Sequence, residues 1–278
     1  MIPGKPEFVA PGVRRIVAGN AGLMTGPGTN TYLLGDREVA VLDPGPVHPE
    51  HLQSILAAAA HVRWILVTHT HRDHSPLASE LARATGARVI GLPPPGDGRQ
   101  DESFHAEHTP LDGERIRLGE IALTAIHTPG HASNCVCYHL ESERLLFTGD
   151  HVLEGVSPVI LAPDGDMAQY LRSLEKLAAY DFEHIAPGHG GLIGEGKSAI
   201  RMLRAHRLAR EAKVLHCLER RAAAGAASTL DGLTPDVYDD VAAERHAWAK
   251  LTLVAHLIKL EREGRVVENG GQWQISPG

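Results

Sequence analysis

Residues 68–74 read THTHRDH and place three histidines and one aspartate within seven consecutive positions. The uninterrupted apolar run at residues 64–67 comes directly before this stretch and predicts a buried strand. After it, a Ser-Pro pair followed by apolar residues at helical spacing predicts the start of a helix. The stretch is therefore expected to form a tight turn between a strand and a helix.

The side chains of this turn suit a divalent metal ion. Neutral imidazole nitrogen and carboxylate oxygen are ligands of borderline metals, with zinc first among them. His69 and His71 are two positions apart, so they point the same way if the strand geometry continues. Asp73 and His74 follow in position to face a second ion beside the first. A helix start that is merely rich in histidine is the ordinary alternative, but H-x-H-x-D-H is far rarer than a single H-x-H pair.

Three further candidate ligands lie downstream, each where an apolar run ends in a glycine-containing loop. They are His131 in TPGH, Asp150 in FTGD and His189 in PGHG. Loops at one edge of a rigid scaffold commonly carry functional residues. A β-sandwich flanked by helices would present these ligands together along one edge.

With Asp43 in LDPG added to these motifs, residues 13–200 resemble the metallo-β-lactamase-fold hydrolase superfamily. The resemblance implies an α/β fold, the αββα sandwich, with a site for two metal ions. Carried over by motif, it implies one ion held by His69, His71 and His131, a second held by Asp73, His74 and His189, and Asp150 bridging the two. Asp43 is implied to orient the ligand turn from behind.

Length and composition place further bounds on the protein. The chain has 278 residues, enough for two domains, with 43% hydrophobic and 22% charged residues and a net charge of −7. The first six residues lack the apolar core of a signal peptide, and no run approaches the roughly 18 apolar residues of a membrane span. An odd set of three cysteines favours a reducing compartment. We therefore expect a cytoplasmic protein with no membrane contact.

The spacing of apolar residues and the positions of turn-forming residues predict the secondary structure of the catalytic domain, residues 1–200. Strands are predicted at residues 13–18, 31–34, 39–42, 86–91, 118–126 and 135–140, and helices at 49–60 and 167–179. Residues 92–101, which contain PPP and GDG, are expected to form a loop.

Residues 201–278 differ in charge, with 12 Lys and Arg against 10 Asp and Glu. A long helix at 198–224, a short strand at 228–230, helices at 235–241 and 246–263, and a hairpin at 264–275 with an Asn-Gly turn are predicted. This order indicates a small winged-helix-like α+β domain. It could cap the active-site cleft, form a homodimer contact or bind nucleic acid. A net charge of +2 is too small to drive strong duplex binding, which disfavours a nucleic-acid-binding regulator.

Residues 191–198, GLIGEGKS, match the phosphate-binding loop pattern G-x-x-x-x-G-K-S. That pattern requires a strong apolar strand directly before its first glycine, whereas PGHG precedes it here. A loop leading into a helix is therefore favoured over nucleotide binding.

A narrower resemblance extends to the C-terminus and is to the beta-lactamase-like protein 2 group. The shared motifs are NTYL at 30–33, THTHRDHS at 68–75, TPGH at 128–131, PGHG at 187–190 and LIKLEREG at 257–264. The resemblance to animal members of the group implies cleavage of single-stranded RNA, and the resemblance to fungal relatives implies hydrolysis of acyl-carrier-protein thioesters. Cys135 departs from a histidine often found at its position, which puts the nuclease activity in doubt.

The expected chemistry is hydrolysis by a metal-bound hydroxide, without a protein nucleophile. Two divalent ions lower the pKa of a bridging water, and Asp73 accepts or relays its proton. The preferred metal is Zn²⁺, because His71 occupies the position where related flavodiiron oxidoreductases place a glutamate; Mn²⁺ and Fe remain open. The acidic catalytic half favours a small-molecule or acyl-carrier ester or thioester as substrate over single-stranded RNA. An iron-based oxidoreductase is a further alternative.

Overall fold

A computed structural model describes residues 1–277 and contains two main β-sheets. The first has the strand order β1-β2-β3-β4-β5-β6, and the second has the order β11-β10-β9-β8-β7. The strands are β1 (Glu7–Ala10), β2 (Val13–Val17), β3 (Asn30–Leu34), β4 (Val39–Leu42), β5 (Val62–Leu66), β6 (Arg88–Ile90), β7 (Arg115–Leu118), β8 (Ile121–His127), β9 (Val136–Leu140), β10 (Leu145–Gly149) and β11 (His184–Pro187).

The two sheets pack face to face around a shared apolar layer that includes Tyr32, Tyr138 and Phe147. A second layer lies between the first sheet and the helices α1 (Pro49–Ala58) and α2 (Ala78–Thr85). A third lies between the second sheet and α3 (Met167–Leu177). Helix, sheet, sheet and helix therefore form four layers, which confirms the predicted αββα sandwich.

The strands present their following loops at one edge of the sandwich. β4 and β5 are parallel neighbours, and Asp43 and the THTHRDH stretch follow their carboxyl ends. β10 and β11 are also parallel neighbours, followed by Asp150 and His189. Because carboxyl ends of parallel strands meet at the same edge, residues far apart in sequence are brought together.

The strand predicted at 118–126 begins too early, because the chain makes a turn directly after residue 118. β7 ends at Leu118 and β8 begins at Ile121, so Gly119 and Glu120 form a two-residue hairpin turn. Gly119 has a φ of 65°, a left-handed conformation that glycine adopts without the steric cost of a side chain. The edge strand β1 lacks a clear alternating pattern and is absent from the sequence-based prediction.

The C-terminal region contains α4 (Gly196–Ala223), α5 (Leu230–Val237), α6 (His246–Arg262) and a hairpin of β12 (Val266–Asn269) and β13 (Gln272–Ile275). Its own apolar core joins Leu218, Leu233, Leu257 and Trp273 across all of these elements. The predicted winged-helix-like domain is confirmed. The predicted domain boundary after residue 200 falls inside the continuous helix α4 and stays a prediction.

Two local predictions in this region are wrong. Residues 228–230 do not form a strand, because the Thr229 side chain accepts a hydrogen bond from the Gly232 amide and caps α5. The helix predicted at 235–241 instead begins at Leu230, and Pro235 lies inside it near its end. Among residues 1–277, none of the helices has both the length and the hydropathy needed to cross a membrane.

Candidate metal centre

His69, His71 and His131 bring three imidazole nitrogens together at the sheet edge. The Nδ1 atom of His71 lies 3.0 Å from Nε2 of His69 and 3.0 Å from Nε2 of His131. His69 and His71 come from the turn after β5, and His131 from the loop after β8. The sequence-based expectation that these three side chains converge agrees with this geometry.

Hydrogen bonds behind the rings indicate which nitrogen of each carries the proton. His131 donates from Nδ1 to the carbonyl oxygen of Val159 at 2.8 Å, which leaves a lone pair on Nε2. The Thr68 hydroxyl donates to Asp43, so it accepts from Nδ1 of His69 at 3.0 Å and leaves a lone pair on Nε2 of His69 as well. Lone pairs at this distance repel unless a cation lies between them.

The three rings are also kept neutral. Burial lowers the pKa of His69 and of His131, and it lowers the pKa of His71 to about 3. Metal binding requires the neutral imidazole. This cluster therefore has the donor set of a three-histidine zinc site.

Asp73, His74, Asp150 and His189 form a second cluster beside the first. Nε2 of His189 lies 3.1 Å from Oδ2 of Asp73 and 3.3 Å from Oδ2 of Asp150. Nε2 of His74 lies 3.5 Å from Oδ2 of Asp73 and 3.4 Å from Oδ1 of Asp150. Nε2 of His74, Nε2 of His189 and Oδ1 of Asp150 are buried without a hydrogen-bond partner. Buried polar atoms left in this way fit a missing cation.

Electrostatics point to a cation in this second cluster. Burial disfavours the charged form of His189, but Asp150 and Asp73 outweigh it and raise the pKa of His189 to about 10. Burial is likewise outweighed at His74, where Asp73, Asp150 and Asp43 raise the pKa. The carboxylates thus attract positive charge to these nitrogens, and a divalent ion would replace the protons.

Asp150 lies between the two clusters. Its Oδ2 atom is 3.3 Å from Nε2 of His189 and 3.8 Å from Nε2 of His131. Gly188 makes this approach possible, because a Cβ atom there would lie 2.5 Å from Oδ1 of Asp150. One carboxylate therefore faces both groups of donors.

Asp43 lies behind the ligand turn, where the resemblance implied it. Its carboxylate accepts hydrogen bonds from the Thr68 amide at 2.7 Å, the Thr68 hydroxyl at 2.7 Å and Nδ1 of His74 at 3.0 Å. Asp43 has a φ of 51°, which is uncommon for a residue with a side chain. Its three bonds fix the turn and direct Nε2 of His74 toward the second cluster.

Three further residues of reactive types lie near the candidate ligands but outside both clusters: Cys135, Cys137 and His151. The His151 ring packs against Tyr170, with 4.6 Å between ring centroids, and burial lowers its pKa to about 3. Cys135 and Cys137 are buried, and burial raises the pKa of both thiols. A thiol with a raised pKa is a poor nucleophile and a poor acid near neutral pH.

The lysine of the phosphate-binding loop pattern, Lys197, makes contacts within the protein. The Lys197 amine donates to the carbonyl oxygens of Ala178 and Tyr180 and lies 4.6 Å from the centre of the Phe182 ring. A phosphate-binding lysine must instead point its amine into the loop. Lys197 therefore anchors the start of α4.

Three cationic side chains on α6 that could contact a nucleic-acid duplex are paired within the protein. Their partners are Asp231 for Lys250, Glu211 for Lys259 and Asp166 for Arg262. Paired cations gain little from phosphate contacts, because each pair must first be broken. This arrangement weakens the interpretation of α6 as a recognition helix.

A cleft of about 150 Å³ opens over the metal-site residues and includes groups that the sequence-based prediction missed. Trp248 and Leu251 reach it from α6, and Met24 from the loop between β2 and β3. Arg99 and Gln100 line it from the segment before β7. No local motif marks these residues. The packing of α6 beside the sandwich brings Trp248 and Leu251 to the site, and two loops of the sandwich bring the others.

Two family descriptions match the chain. Residues 24–189 match the metallo-beta-lactamase superfamily, and residues 229–273 match the beta-lactamase associated winged helix domain. Lactamase-like protein aptB of Emericella nidulans is 34% identical over 231 residues, which cover 80% of this chain and 70% of that protein. An atrochrysone carboxyl ACP thioesterase of Aspergillus chevalieri is 32% identical over 78% of this chain and 70% of its own length. The beta-lactamase-like protein 2 homolog of Caenorhabditis elegans is 31% identical over 77% of this chain and 73% of its own length.

Solved structures share the whole architecture. A metallo-beta-lactamase family protein of Thermus thermophilus superimposes with a TM-score of 0.77 at 25% identity, covering 95% of this chain and 99% of the other. A beta-lactamase domain protein of Burkholderia ambifaria gives a TM-score of 0.80 at 21% identity, covering 99% and 97%, and shows the fold alone. The chain therefore belongs to the metallo-β-lactamase superfamily of hydrolases and carries the winged-helix domain associated with it.

Proposed function

We propose that this protein is a dinuclear metal-dependent hydrolase of esters or thioesters. The observation that carries the proposal is the pair of donor clusters that share Asp150 at the floor of a cleft. The two clusters are built from side chains on separate loops that the sandwich brings to one edge.

In this proposal His69, His71 and His131 hold one ion, and Asp73, His74 and His189 hold the other, with Asp150 contacting both. Three imidazoles favour Zn²⁺, and Mn²⁺ or Fe are the alternatives that metal analysis would distinguish. When bound, divalent ions of this kind lower the pKa of water and polarise a substrate carbonyl oxygen.

Asp73 is the residue best placed to accept a proton during hydrolysis. It lines the cleft, and 28% of its side chain is exposed, compared with 11% for Asp150 and 5% for His189. A general base must reach the reacting water from the side that substrate enters. Asp73 therefore combines a place in the second cluster with access to substrate.

The cleft favours a neutral carbonyl substrate over single-stranded RNA. Besides the two metal-site aspartates, it is lined by Asp97 and Asp164, with Arg99 as the cation among the lining residues. Phosphate-rich ligands require clusters of Lys and Arg. The name of the Aspergillus chevalieri relative, an acyl-carrier-protein thioesterase, supports a thioester. A cytoplasmic location fits the three free, buried cysteines.

The test combines metal analysis with turnover on a thioester, a lactone, a phosphodiester, a β-lactam and a single-stranded RNA. About two zinc ions per chain and chelator-sensitive cleavage of the thioester or lactone are expected. Asp73→Ala and Asp150→Ala should abolish turnover, while His61→Ala, at an exposed position outside both clusters, should retain it. Metal-free protein without turnover would overturn the proposed function, and cleavage of RNA alone would replace the substrate class.

A further inference from the structure

We infer that the winged-helix domain supplies the wall that binds the acyl group of the substrate, with Trp248 and Leu251 on α6 setting its specificity. This inference rests on the proposed hydrolase function and concerns the substrate, not the metal ligands. It assigns an apolar acyl group, linear or aromatic, to one side of the cleft.

The cleft has two chemically different sides. At its floor lie the metal-site residues His71, Asp73, His131 and Asp150. Five other lining residues are apolar and come from three separate parts of the chain; together they are called the acyl wall: Met24, Val159, Leu161, Trp248 and Leu251. Asp97, Arg99 and Asp164 also line the cleft. A carbonyl group held at the floor would therefore find apolar contacts for its substituent at the acyl wall.

Several of these side chains are exposed in a way that indicates a ligand surface. Met24 is 48% exposed, Leu161 41% and Trp248 38%. Apolar surface left in water is unfavourable, and large exposed apolar side chains that meet at one place commonly mark a binding surface. Here they meet next to the donor clusters, where an acyl chain would cover them.

The α6 part of this wall is held rigidly. On the opposite side of the helix, Leu253 and Leu257 are fully buried in the winged-helix core, and Ala255 packs with the residues under α3. Near the end of the helix, Arg262 pairs with Asp166, the residue that caps α3. Trp248 and Leu251 are therefore presented at fixed positions, as specificity requires.

The size of the cleft limits the acyl group. Its volume of about 150 Å³ equals that of an engineered apolar cavity that holds benzene. An acyl group of about six carbons or with a single aromatic ring matches this volume, and a longer group would extend beyond the cleft. An acetyl group would leave the wall uncovered.

The experiment compares hexanoyl, benzoyl and acetyl thioesters of N-acetylcysteamine with the zinc-loaded full chain. We expect Trp248→Ala and Leu251→Ala each to lower the ratio of hexanoyl to acetyl kcat/KM about tenfold or more, with zinc content unchanged. Met202→Ala, which removes an exposed apolar side chain from α4 outside the cleft, is the matched control. Calorimetric titration with hexanoate and acetate gives a second readout of the same preference.

Each outcome decides between the two claims. Thioester cleavage with an unchanged hexanoyl-to-acetyl ratio in both variants would overturn the acyl wall and leave the hydrolase intact. Absence of cleavage of any ester or thioester would overturn the hydrolase. In that case equal hexanoate affinity in the wild type and Leu251→Ala would overturn the wall as well.

Discussion

His131 donates from Nδ1 to the carbonyl oxygen of Val159 at 2.8 Å, and this bond fixes the nitrogen that the ring offers to the first cluster. The preceding carbonyl oxygen, of Pro158, accepts a hydrogen bond from the buried guanidinium of Arg207 on α4. Two adjacent carbonyls thus connect a helix that continues into the winged-helix domain with a metal-site histidine. Arg207 is a positioning residue for His131.

Arg207→Met should weaken zinc binding without unfolding the protein. Methionine replaces the apolar stem of the arginine side chain but leaves the Pro158 carbonyl without its donor, so the segment that orients His131 is held less firmly. Loss of support behind a ligand typically costs 10–100-fold in metal affinity. Competition with a chromophoric chelator measures the change. Arg204→Met, at an exposed position on the same helix, is the control, and equal zinc affinity in all three proteins would contradict the prediction.

Asp43→Ala should lower both stability and metal affinity. It leaves the Thr68 amide, the Thr68 hydroxyl and Nδ1 of His74 without their acceptor in a buried place. Each such group costs about 1–3 kcal/mol, so the free energy of unfolding should fall by at least about 3 kcal/mol. Urea denaturation of the metal-free protein measures it. Asp43→Asn, which suits the left-handed backbone and keeps one acceptor, should lose less, and an equal loss in both variants would show that the hydrogen bonds are not the cause.

Stability should fall as the solution becomes more acidic, and His51 is one cause. Burial, together with the nearby His48, lowers the pKa of His51 to about 4. The ring of His51 shares one hydrogen bond with the Thr31 hydroxyl. In the unfolded chain His51 takes up a proton near pH 6.5, whereas in the folded protein it does so only near pH 4. The free energy of unfolding is therefore unaffected by His51 above pH 6.5 and decreases as the pH falls from 6.5 toward 4. The total decrease is about 3 kcal/mol.

His51→Gln retains a partner for Thr31 and should reduce the difference between unfolding free energies at pH 7.5 and pH 5. Both proteins are measured in chelator, so that the other histidines contribute equally and cancel. His61→Gln, an exposed histidine, should behave like the wild type. An unchanged pH dependence in His51→Gln would exclude His51 as a source of the acid sensitivity.

Cys135→Ser should retain hydrolysis within about threefold. The Cys135 side chain is buried, and burial holds the pKa of its thiol well above the ordinary value, so little thiolate exists near neutral pH. Steady-state turnover of the preferred thioester measures the effect, and slow labelling of the native protein by iodoacetamide is expected alongside. A loss of a hundredfold or more with intact zinc content would instead assign a chemical role to this cysteine.

The candidate metal ligands could be recognised in the sequence because their signals are local. His69, His71, Asp73 and His74 occupy one turn, and the other ligands each follow a short apolar run ending in glycine. In such a fold, the loop that follows each of these strands lies at the same edge of the sheets. The αββα sandwich is implied by the family resemblance that these motifs carry.

What could not be predicted depends on contacts between distant elements. Trp248 reads as an ordinary aromatic residue of a mostly apolar helix, and its place in the cleft depends on how α6 packs beside the sandwich. Thr229 could be read as a strand residue or as a helix cap, and the packing of Leu233 into the C-terminal core favours the cap. β1 is defined by pairing with β2, which its own four residues do not reveal.

Helix α4 is continuous from Gly196 to Ala223, so a rigid helix, and not a flexible linker, joins the sandwich to the winged-helix domain. Exchanging the C-terminal region between relatives at this helix should therefore transfer the acyl preference as a unit, while the catalytic metals stay with the recipient. With the inferred acyl wall on α6 and the candidate metal ligands on the sandwich loops, substrate choice and bond-breaking chemistry would lie on separate stretches of one chain.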